Sequence, residues 1–348
     1  MSATLDFIKN VWYAGMLSSD LKVNSLKHQT ILNQPIVFYR DSKKVVHALR
    51  DICPHRGIPL SYGRVVDDQV ECPYHGWKFN CSGECTEIPS LTADQPMDTK
   101  KIRVKNYKTY EVAGIIWVFI PDENRATNEN SAKPFFEELV LKTPPKLESV
   151  VIFPCHLDHA VIGLMDPAHG PFVHKSWLWR SEKTILEKKK AFGPVEYGFQ
   201  MRRHRPSANS KAYKIFGGDR STQITFCLPS VRVEHILSGK KNFYSFTALT
   251  PISEKETRVF QLAFWDQALL SVFKPFLKIF SDHFLGQDMD AVTKQQDGLK
   301  WDPSLMLIKD ADTQAKWYFA LKKEWAESQK ENRPFQHPVP ETELKWRS

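Results

Sequence analysis

Two cysteines and two histidines lie close together in the chain as Cys53-x-His55 and, sixteen residues further on, Cys72-x-x-His75. Each short loop offers one thiolate and one imidazole, which together make a metal-binding set. Zinc would close four such ligands into a tetrahedral structural site, usually with the cysteines in one pair and the histidines in the other. A mixed-ligand [2Fe-2S] centre instead needs two cysteines on one iron and two histidines on the other, so loops that each supply one of each suit it. Imidazole in place of thiolate also removes negative charge and raises the potential to roughly −150 to +300 mV. Cys81 and Cys85 form a further pair, but no spare histidine pair lies near them, and they read as structural residues of the hairpin after His75.

A second group, LMDPAHGPFVHKSW, carries Asp166, His169 and His174 at i, i+3 and i+8. This spacing puts the first two on one helix face. Pro171 lets the chain bend, so that His174 returns toward the same point as His169. Two histidines and one carboxylate with open positions remaining make the ligand set of non-haem Fe(II) that activates dioxygen. The plainer reading of His169 and His174 is a pair of satisfied core or helix-end histidines. His156 and His159 are competing ligands; they fall before the bend and read as structural or supporting groups.

The elements that must position these groups are of two kinds. Before residue 121 the chain is dense in short apolar or alternating runs, HQTILNQPIVFYR, KKVVHALRD, GRVVDDQVEC, GWKFN and VAGIIWVFIP, punctuated by Asp-Asp, Ser-Gly and Pro. These read as antiparallel strands with tight turns, Asp67-Asp68 turning the chain between the two ligand loops. PDENRATNENSAKP, 121–134, reads as a surface connection, and the domains are expected at 1–140 and 141–348. After 145 a strand-like SVVIFPCH gives way at Asp158, a candidate N-cap, to a helix over HAVIGLMDPAH that Pro171 ends. STQITFCLP, VRVEHIL, KNFYSFTALTP and ETRVFQLAFW read as a second set of strands. QALLSVFKPFLKIFSDHFLGQDMDAVTKQQ is helical in period apart from Pro275 and Gly286, with its Leu and Phe positions packing across the sheet rather than on a membrane. The Glu, Lys and Pro-rich tail beyond about 325 reads as a segment that wraps the surface or a neighbouring subunit. No internal repeat interrupts this order.

With 348 residues, 42% hydrophobic and 25% charged, the chain has material for two sizeable cores. The longest apolar run, 112–120, is about half of a bilayer crossing and is closed by Pro121, so no span is expected. The start lacks the pattern of a secretory signal, which makes a cytoplasmic location the expectation. Six cysteines are too few for a disulfide framework at this length and read as thiols, some of them metal ligands. The formal charge of +8 is spread in short clusters such as Lys188-Lys189-Lys190 and Arg202-Arg203. These read as a solvated basic surface, able to steer an acidic protein partner. No nucleic-acid reader motif accompanies the charge.

CPHRG and CPYHGWKFNCSGEC resemble, almost residue for residue, the Rieske signature of ring-hydroxylating oxygenases, and NVWYAG resembles that family's amino terminus. The spacing in DPAHGPFVH is similar to the family's mononuclear-iron motif, in the form seen in its demethylase and pheophorbide-oxygenase-like branches. The resemblance implies an α+β chain: an N-terminal all-β Rieske [2Fe-2S] domain, then a helix-grip catalytic domain whose curved antiparallel sheet holds a helix, with Fe(II) at a hydrophobic pocket. The cluster would sit on Cys53, His55, Cys72 and His75. Asp166 would then not ligate iron but bridge His75 of one subunit to His169 of the next in a homotrimer, orienting both rings. The carboxylate ligand would come from FLGQDMDAVTKQQ as Asp288, with Asp290 and Asp282 as alternatives. The chain departs from its relatives at Ile162 and Gly163, where Asn is frequent before the bridging Asp, and at Thr293, where many have Glu. These departures bear on the hydrogen bonds around the ligands and on any relative's substrate.

The function so implied is the terminal oxygenase of a multi-component system. Electrons from NAD(P)H would pass through a reductase, with or without a ferredoxin, and O2 would be used to hydroxylate or oxidatively demethylate a hydrophobic aromatic or polycyclic substrate. Cis-dihydroxylation is the alternative within the family. From other classes, a Rieske electron carrier would need only the first 120 or so residues, and a zinc-stabilised interaction protein would hold no iron. NFYSFTAL and VFQLAFW, with Trp177 and Trp179, suggest an apolar substrate cavity, against plain core packing of the same aromatics.

Overall fold

The apolar runs before residue 121 become strands because two-residue turns in left-handed backbone conformation cut them at short intervals. Leu32 and Asn33 (φ 50° and 57°) divide HQTILNQPIVFYR, Asp67 and Asp68 (50° and 61°) close the hairpin between the ligand loops, and Ala113 and Gly114 (57° and 78°) precede the most buried strand. Paired positive φ values are the geometry that matches the twist of an antiparallel hairpin. The structure, a computed structural model, describes residues 6–123, 143–174, 182–209 and 211–348. Most of the expected 121–134 connection, the 140 boundary, Trp177 and Trp179 lie outside the described residues. Contacts divide the chain into two compact units, Trp12–Pro121 and a larger one of Met1–Val11 with Asp122–Ser348.

The smaller unit is built from β1 (Val11–Leu17), β2 (Ser25–Ile31), β3 (Gln34–Arg40), β4 (Val46–Arg50), β5 (Arg64–Val66), β6 (Gln69–Glu71), β7 (Lys78–Phe79), β8 (Cys85–Glu87), β9 (Asn106–Tyr107), β10 (Thr109–Val112) and β11 (Ile115–Ile120). They form three sheets in the orders β1-β11-β10, β2-β3-β4-β9 and β5-β6-β7-β8. Every residue of β11 is buried, as its continuous apolar run predicts. Cys53 and Cys72 share a core with Val37, Tyr39, Val70 and Phe79, so the cluster loops are anchored by apolar packing. All six cysteines are free thiols; Cys85 is buried in β8 and Cys81 is exposed in the turn before it.

In the larger unit an eight-stranded antiparallel sheet runs in the order β12-β18-β17-β16-β15-β14-β13-β19. The strands are β12 (Leu147–Phe153), β13 (Glu187–Val195), β14 (Gly198–His204), β15 (Arg220–Cys227), β16 (Val231–Ser238), β17 (Lys241–Ser253), β18 (Glu256–Trp265) and β19 (Thr342–Arg347). The helices are α1 (Leu157–Met165), α2 (Gly170–Val173), α3 (Ala268–Val272), α4 (Lys274–Leu299) and α5 (Thr313–Glu331). Among the described residues no helix is long and apolar enough to cross a membrane.

Four sequence expectations are corrected here. First, Asp158 is not the N-cap of α1: that place belongs to His156, whose Nδ1 accepts a hydrogen bond from the Asp158 amide. Second, α1 ends at Met165 because Asp166 precedes Pro167, and a residue before proline is driven out of the helical region; Asp166 has φ −62° and ψ 116°. Pro171 then starts α2 instead of ending α1, a position where its missing N–H costs nothing, so Asp166 and His169 do not share a helix face. Third, the tail beyond 325 does not wrap the outside: it completes α5 and supplies β19, which pairs with β13 as an edge strand of the same sheet. Fourth, the 188–190 cluster is not wholly solvated, since strand alternation buries Lys188, whose Nζ donates to Ser348 Oγ at 2.7 Å, while Lys189 pairs with Glu343 outside. In α4 neither Pro275 nor Gly286 breaks the helix; Pro275 lies in its first turn.

The helix that leads to Asp166 is bolted to α5. Asp158, 1% exposed, accepts hydrogen bonds from Tyr318 Oη at 2.6 Å and from Lys322 Nζ at 2.8 and 2.9 Å. Removing the cation leaves a buried carboxylate with one donor. Lys322→Ala is therefore expected to destabilise the protein by about 3–5 kcal/mol in chemical denaturation; a loss below about 1 kcal/mol would show that the pair contributes little. The first residues of the chain join the same unit, with Phe7 stacked on His156 at 4.9 Å and Trp325 Nε1 donating to Lys9 O at 3.0 Å.

Candidate metal centres

The two cluster loops have the same backbone closure. In the first, Cys53 N donates to Ile58 O and Gly57 N to Cys53 O, both at 2.9 Å. In the second, Cys72 N donates to Trp77 O at 2.8 Å and Gly76 N to Cys72 O at 3.1 Å. Gly57 and Gly76, each four residues after its cysteine, hold φ of +73° and +71°, the left-handed conformation that glycine adopts without strain. The cysteines are 1% and 2% exposed, whereas His55 is exposed and His75 half-buried, with ring centroids 4.6 Å apart. His55 also stacks on Trp77 at 4.5 Å. Sulfurs sit inside and imidazoles at the edge, which suits a two-iron cluster with one iron on each ligand type. Burial pushes the Cys53 thiol up to about 11, and the adjoining Cys72 adds to the shift, so a cation is needed there to hold thiolates. An added Cβ at Gly76 would lie 3.1 Å from Pro89 Cγ, while at Gly57 it would meet nothing within 4 Å. Both Gly→Ala variants are expected to lose about 1–2 kcal/mol to strain, with the larger fall in Tm and cluster absorbance for Gly76→Ala; an equal or reversed order would contradict this.

In the larger unit, the two ends of α2 bring His169, just before it, and His174, just after it, against Asp288 of α4. His169 Nε2 lies 3.1 Å from His174 Nε2, His174 Nε2 lies 3.1 Å from Asp288 Oδ1, and His169 Nε2 lies 3.7 Å from the same oxygen. Donors on bonds of about 2.1 Å stand about 3.0 Å apart at right angles and about 3.6 Å apart at 120°, so one cation fits all three on one side. Two features leave the Nε2 lone pairs directed inward. His174 Nδ1 donates to Gln287 Oε1 at 3.0 Å, and burial holds the His169 pKa below its usual value, against the pull of Asp166 and Asp288. His174 is further fixed by stacking on Phe284 at 3.5 Å.

Asp166 stands beside this trio. Its Oδ1 accepts from Ala168 N at 2.7 Å and its Oδ2 is 3.7 Å from His169 Nδ1, a buried nitrogen that makes no hydrogen bond. Burial raises the Asp166 pKa, opposed by His169. The two other candidate carboxylates point elsewhere: Asp282 binds Ser149 Oγ and Lys278, and Asp290 pairs with Lys294 in solvent. Among the described residues His169, His174 and Asp288 are the group of three that converges on a single-ion site. His156 is engaged at the helix cap, and burial depresses the His159 pKa. Thr293 Oγ1 bonds back to Met289 O within α4, away from the ligands, and Gly163 has only Val292 near its Cβ position.

A cavity of about 640 Å³ opens from these residues between one face of the sheet and α4. Its walls include Phe199, Phe226, Phe243, Phe280 and Phe284, and a second, smaller cavity of about 260 Å³ also reaches Asp166, His169 and Asp288. The aromatic strands divide by face: Phe243 lines the larger cavity, while Phe246, Phe260 and Phe264 are ordinary core. Sequence reasoning missed Gln287, whose only cue is its place next to Asp288, and missed the polar wall residues Arg232, Glu234 and Gln261.

The Rieske [2Fe-2S] domain family matches residues 11–111, and the vanillate O-demethylase oxygenase C-terminal domain family matches residues 154–320. The chain belongs to the Rieske non-haem iron oxygenases. Family membership carries two cofactors, a [2Fe-2S] cluster and a mononuclear iron, and the two residue sets above fit them. The chain is 27% identical to 4beta-methylsterol monooxygenase of Methylococcus capsulatus over 325 residues, 88% of this chain and 85% of that one. It is 33% identical over 195 residues to the oxygenase component of dicamba O-demethylase from Stenotrophomonas maltophilia, covering 55% of each. Protein TIC 55 of Arabidopsis thaliana is 29% identical over 240 residues, 67% of this chain but 42% of that protein, so the chain spans less than half of that relative. Toluene-4-sulfonate monooxygenase system iron-sulfur subunit TsaM1 of Comamonas testosteroni is 37% identical over 182 residues, 52% of this chain and 50% of that one. The crystal structure of dicamba monooxygenase bound to 3,6-dichlorosalicylic acid has the same fold, with a TM-score of 0.77 at 21% identity over 94% of this chain and 98% of that one.

Proposed function

We propose that the chain is the terminal oxygenase of a Rieske system, using O2 and electrons from NAD(P)H to hydroxylate or oxidatively demethylate a hydrophobic aromatic or polycyclic substrate. The observation that carries this reading is the meeting of His169, His174 and Asp288 at a largely apolar cavity, in a chain that also has both cluster loops. Iron held by these three residues would supply dioxygen chemistry, and its remaining positions would face the cavity. Cys53, His55, Cys72 and His75 would hold the cluster, which would supply one-electron chemistry. Asp166, with Oδ2 3.7 Å from His169 Nδ1, would orient that ring and, across a homotrimer interface, accept from His75 of a neighbouring copy, so that one carboxylate serves a ring at each centre. Gln287 fixes the tautomer of His174, and Phe284 fixes its ring plane. The Phe-lined walls exclude water and hold the substrate's apolar body.

A reductase, with or without a ferredoxin, is the partner this reading requires, and the free thiols suit the reducing cytoplasm. The cluster would belong to the domain at 1–140 and the mononuclear iron to that at 141–348. Anaerobic reduction of the iron-replete protein, followed by oxygen with a panel of aromatic and polycyclic compounds and product analysis by mass, tests the activity. One-oxygen addition or loss of a methyl group is expected; oxygen incorporation into none of the panel would count against it, and addition of two oxygens would favour cis-dihydroxylation.

A further inference from the structure

We propose that Arg232 and Glu234 form an anchoring subsite for a hydroxyl group, and that the substrate is a bulky lipophilic alcohol. This rests on the larger cavity being the oxygenase's substrate chamber. Arg232 and Glu234 are two residues apart on β16, so both face the cavity. Pairing across the sheet places Arg232 between Phe226 and Thr247, and Glu234 between Ile224 and Ser245. The two side chains, 17% and 13% exposed, are joined by Arg232 Nη2 donating to Glu234 Oε2 at 3.3 Å. Glu234 Oε1 is occupied by Tyr213 Oη and by Thr222 Oγ1, the latter at 3.2 Å.

What remains is one open acceptor position on Glu234 Oε2, beside Arg232 Nε and Nη1, which make no hydrogen bond among the described residues. An acceptor next to donors, at zero net charge, is the complement of an alcohol: its O–H donates to the carboxylate while its oxygen accepts from the guanidinium. A carboxylate substrate would take the donors but meet the Glu234 charge, which selects against it. A hydrocarbon would strip water from the pair and return no hydrogen bond.

Position and size agree with this. Thr247, the cross-strand neighbour of Arg232, is two residues along β17 from Leu249, which lines the smaller cavity together with Asp288. Arg232, Glu234 and Asp288 also line the larger cavity together, so a substrate held at the anchor shares one chamber with the ligand end of α4. From Phe276 to Asp288 the wall formed by α4 is about 18 Å long at 1.5 Å per residue. The cavity of about 640 Å³ holds the equivalent of about twenty water molecules, which is space for a multi-ring skeleton with its hydroxyl at the anchor.

The test uses the iron-loaded holoprotein and three four-ring steroids that differ only at one position, bearing a hydroxyl, a hydrogen or a carboxylate, each delivered in the same cyclodextrin. Kd is read from tryptophan fluorescence. The alcohol is expected to bind about ten- to a hundredfold more tightly than either analogue. Glu234→Gln keeps the size of the side chain and an acceptor for Tyr213 and Thr222; it should shrink the alcohol's advantage and improve carboxylate binding, because Arg232 is then uncompensated. Arg232→Met/Glu234→Gln should bring all three ligands within about threefold of one another. Failure of the alcohol to bind or to be preferred, preference of the wild type for the carboxylate, or an unchanged advantage in the variants would overturn the anchor. Cluster absorbance and iron content on the same samples separate the two levels: intact centres without alcohol preference remove the anchor alone, whereas absence of mononuclear iron removes the oxygenase reading and the anchor with it.

Discussion

Asp288→Ala is expected to lower the iron content by about one atom per chain, to leave the cluster's absorbance unchanged and to abolish oxygenation. Among the described residues this carboxylate is the anionic donor that meets both Nε2 atoms, with Oδ1 3.1 Å from His174 Nε2 and 3.7 Å from His169 Nε2. Without it two neutral nitrogens remain, and a hard divalent cation on two imidazoles alone is held weakly. Among the described residues the alternative carboxylates of α4 are engaged elsewhere: Asp282 is tied to Lys278 and Ser149, and Asp290 faces solvent with Lys294. The cluster loops belong to a separate compact unit with its own core, so their iron should stay. Metal analysis of the variant and wild type, with absorbance of the cluster as internal standard, reads the difference. Full iron occupancy in Asp288→Ala would mean that the third ligand is another residue.

Asp166→Asn is expected to keep both iron centres yet slow turnover by about ten- to a hundredfold. The asparagine side chain has nearly the same shape and can still accept from Ala168 N, so the turn between α1 and α2 should survive. What it loses is the charge beside His169 Nδ1, a buried nitrogen with no hydrogen-bond partner and Asp166 Oδ2 at 3.7 Å. A carboxylate there would favour imidazole donation to iron and, in the proposed trimer, would accept an imidazole N–H from the neighbouring cluster. The distinguishing readout is single-turnover reduction: the cluster of the variant should still accept an electron from the reductase but should not pass it on. Normal turnover in Asp166→Asn would remove the bridging role and leave Asp166 as a turn residue.

The cluster loops were legible because each is a short contiguous segment: cysteine, histidine and the glycine that closes the loop lie within five residues, so no tertiary knowledge is needed. The chemistry of Asp166, His169 and His174 was legible as residue types, but their geometry was not. A helix face was expected, and Pro167 overrides it by forcing Asp166 out of the helix, while Pro171 begins the next turn. Asp288 is more than a hundred residues from His174, and only family resemblance linked the two. Helix α5 carried a usable signal in the spacing of Trp317, Tyr318, Leu321, Trp325 and Ser328, all buried, but charge between these positions masks it, and only its end beyond about 325 reads as part of a surface tail. The burial of Lys188 and the facing of Arg232 and Glu234 follow from strand alternation, which fixes which residues share a face but not which face is lined by a cavity.

Electron paramagnetic resonance of anaerobically prepared, iron-loaded protein, first reduced and then exposed to nitric oxide, asks most directly whether one polypeptide carries two unlike iron centres. The prediction is a Rieske-type signal on reduction and, after nitric oxide, a separate high-spin ferrous-nitrosyl signal in about equal amount per chain. A missing nitrosyl signal in fully loaded material, or no Rieske signal at all, would contradict it.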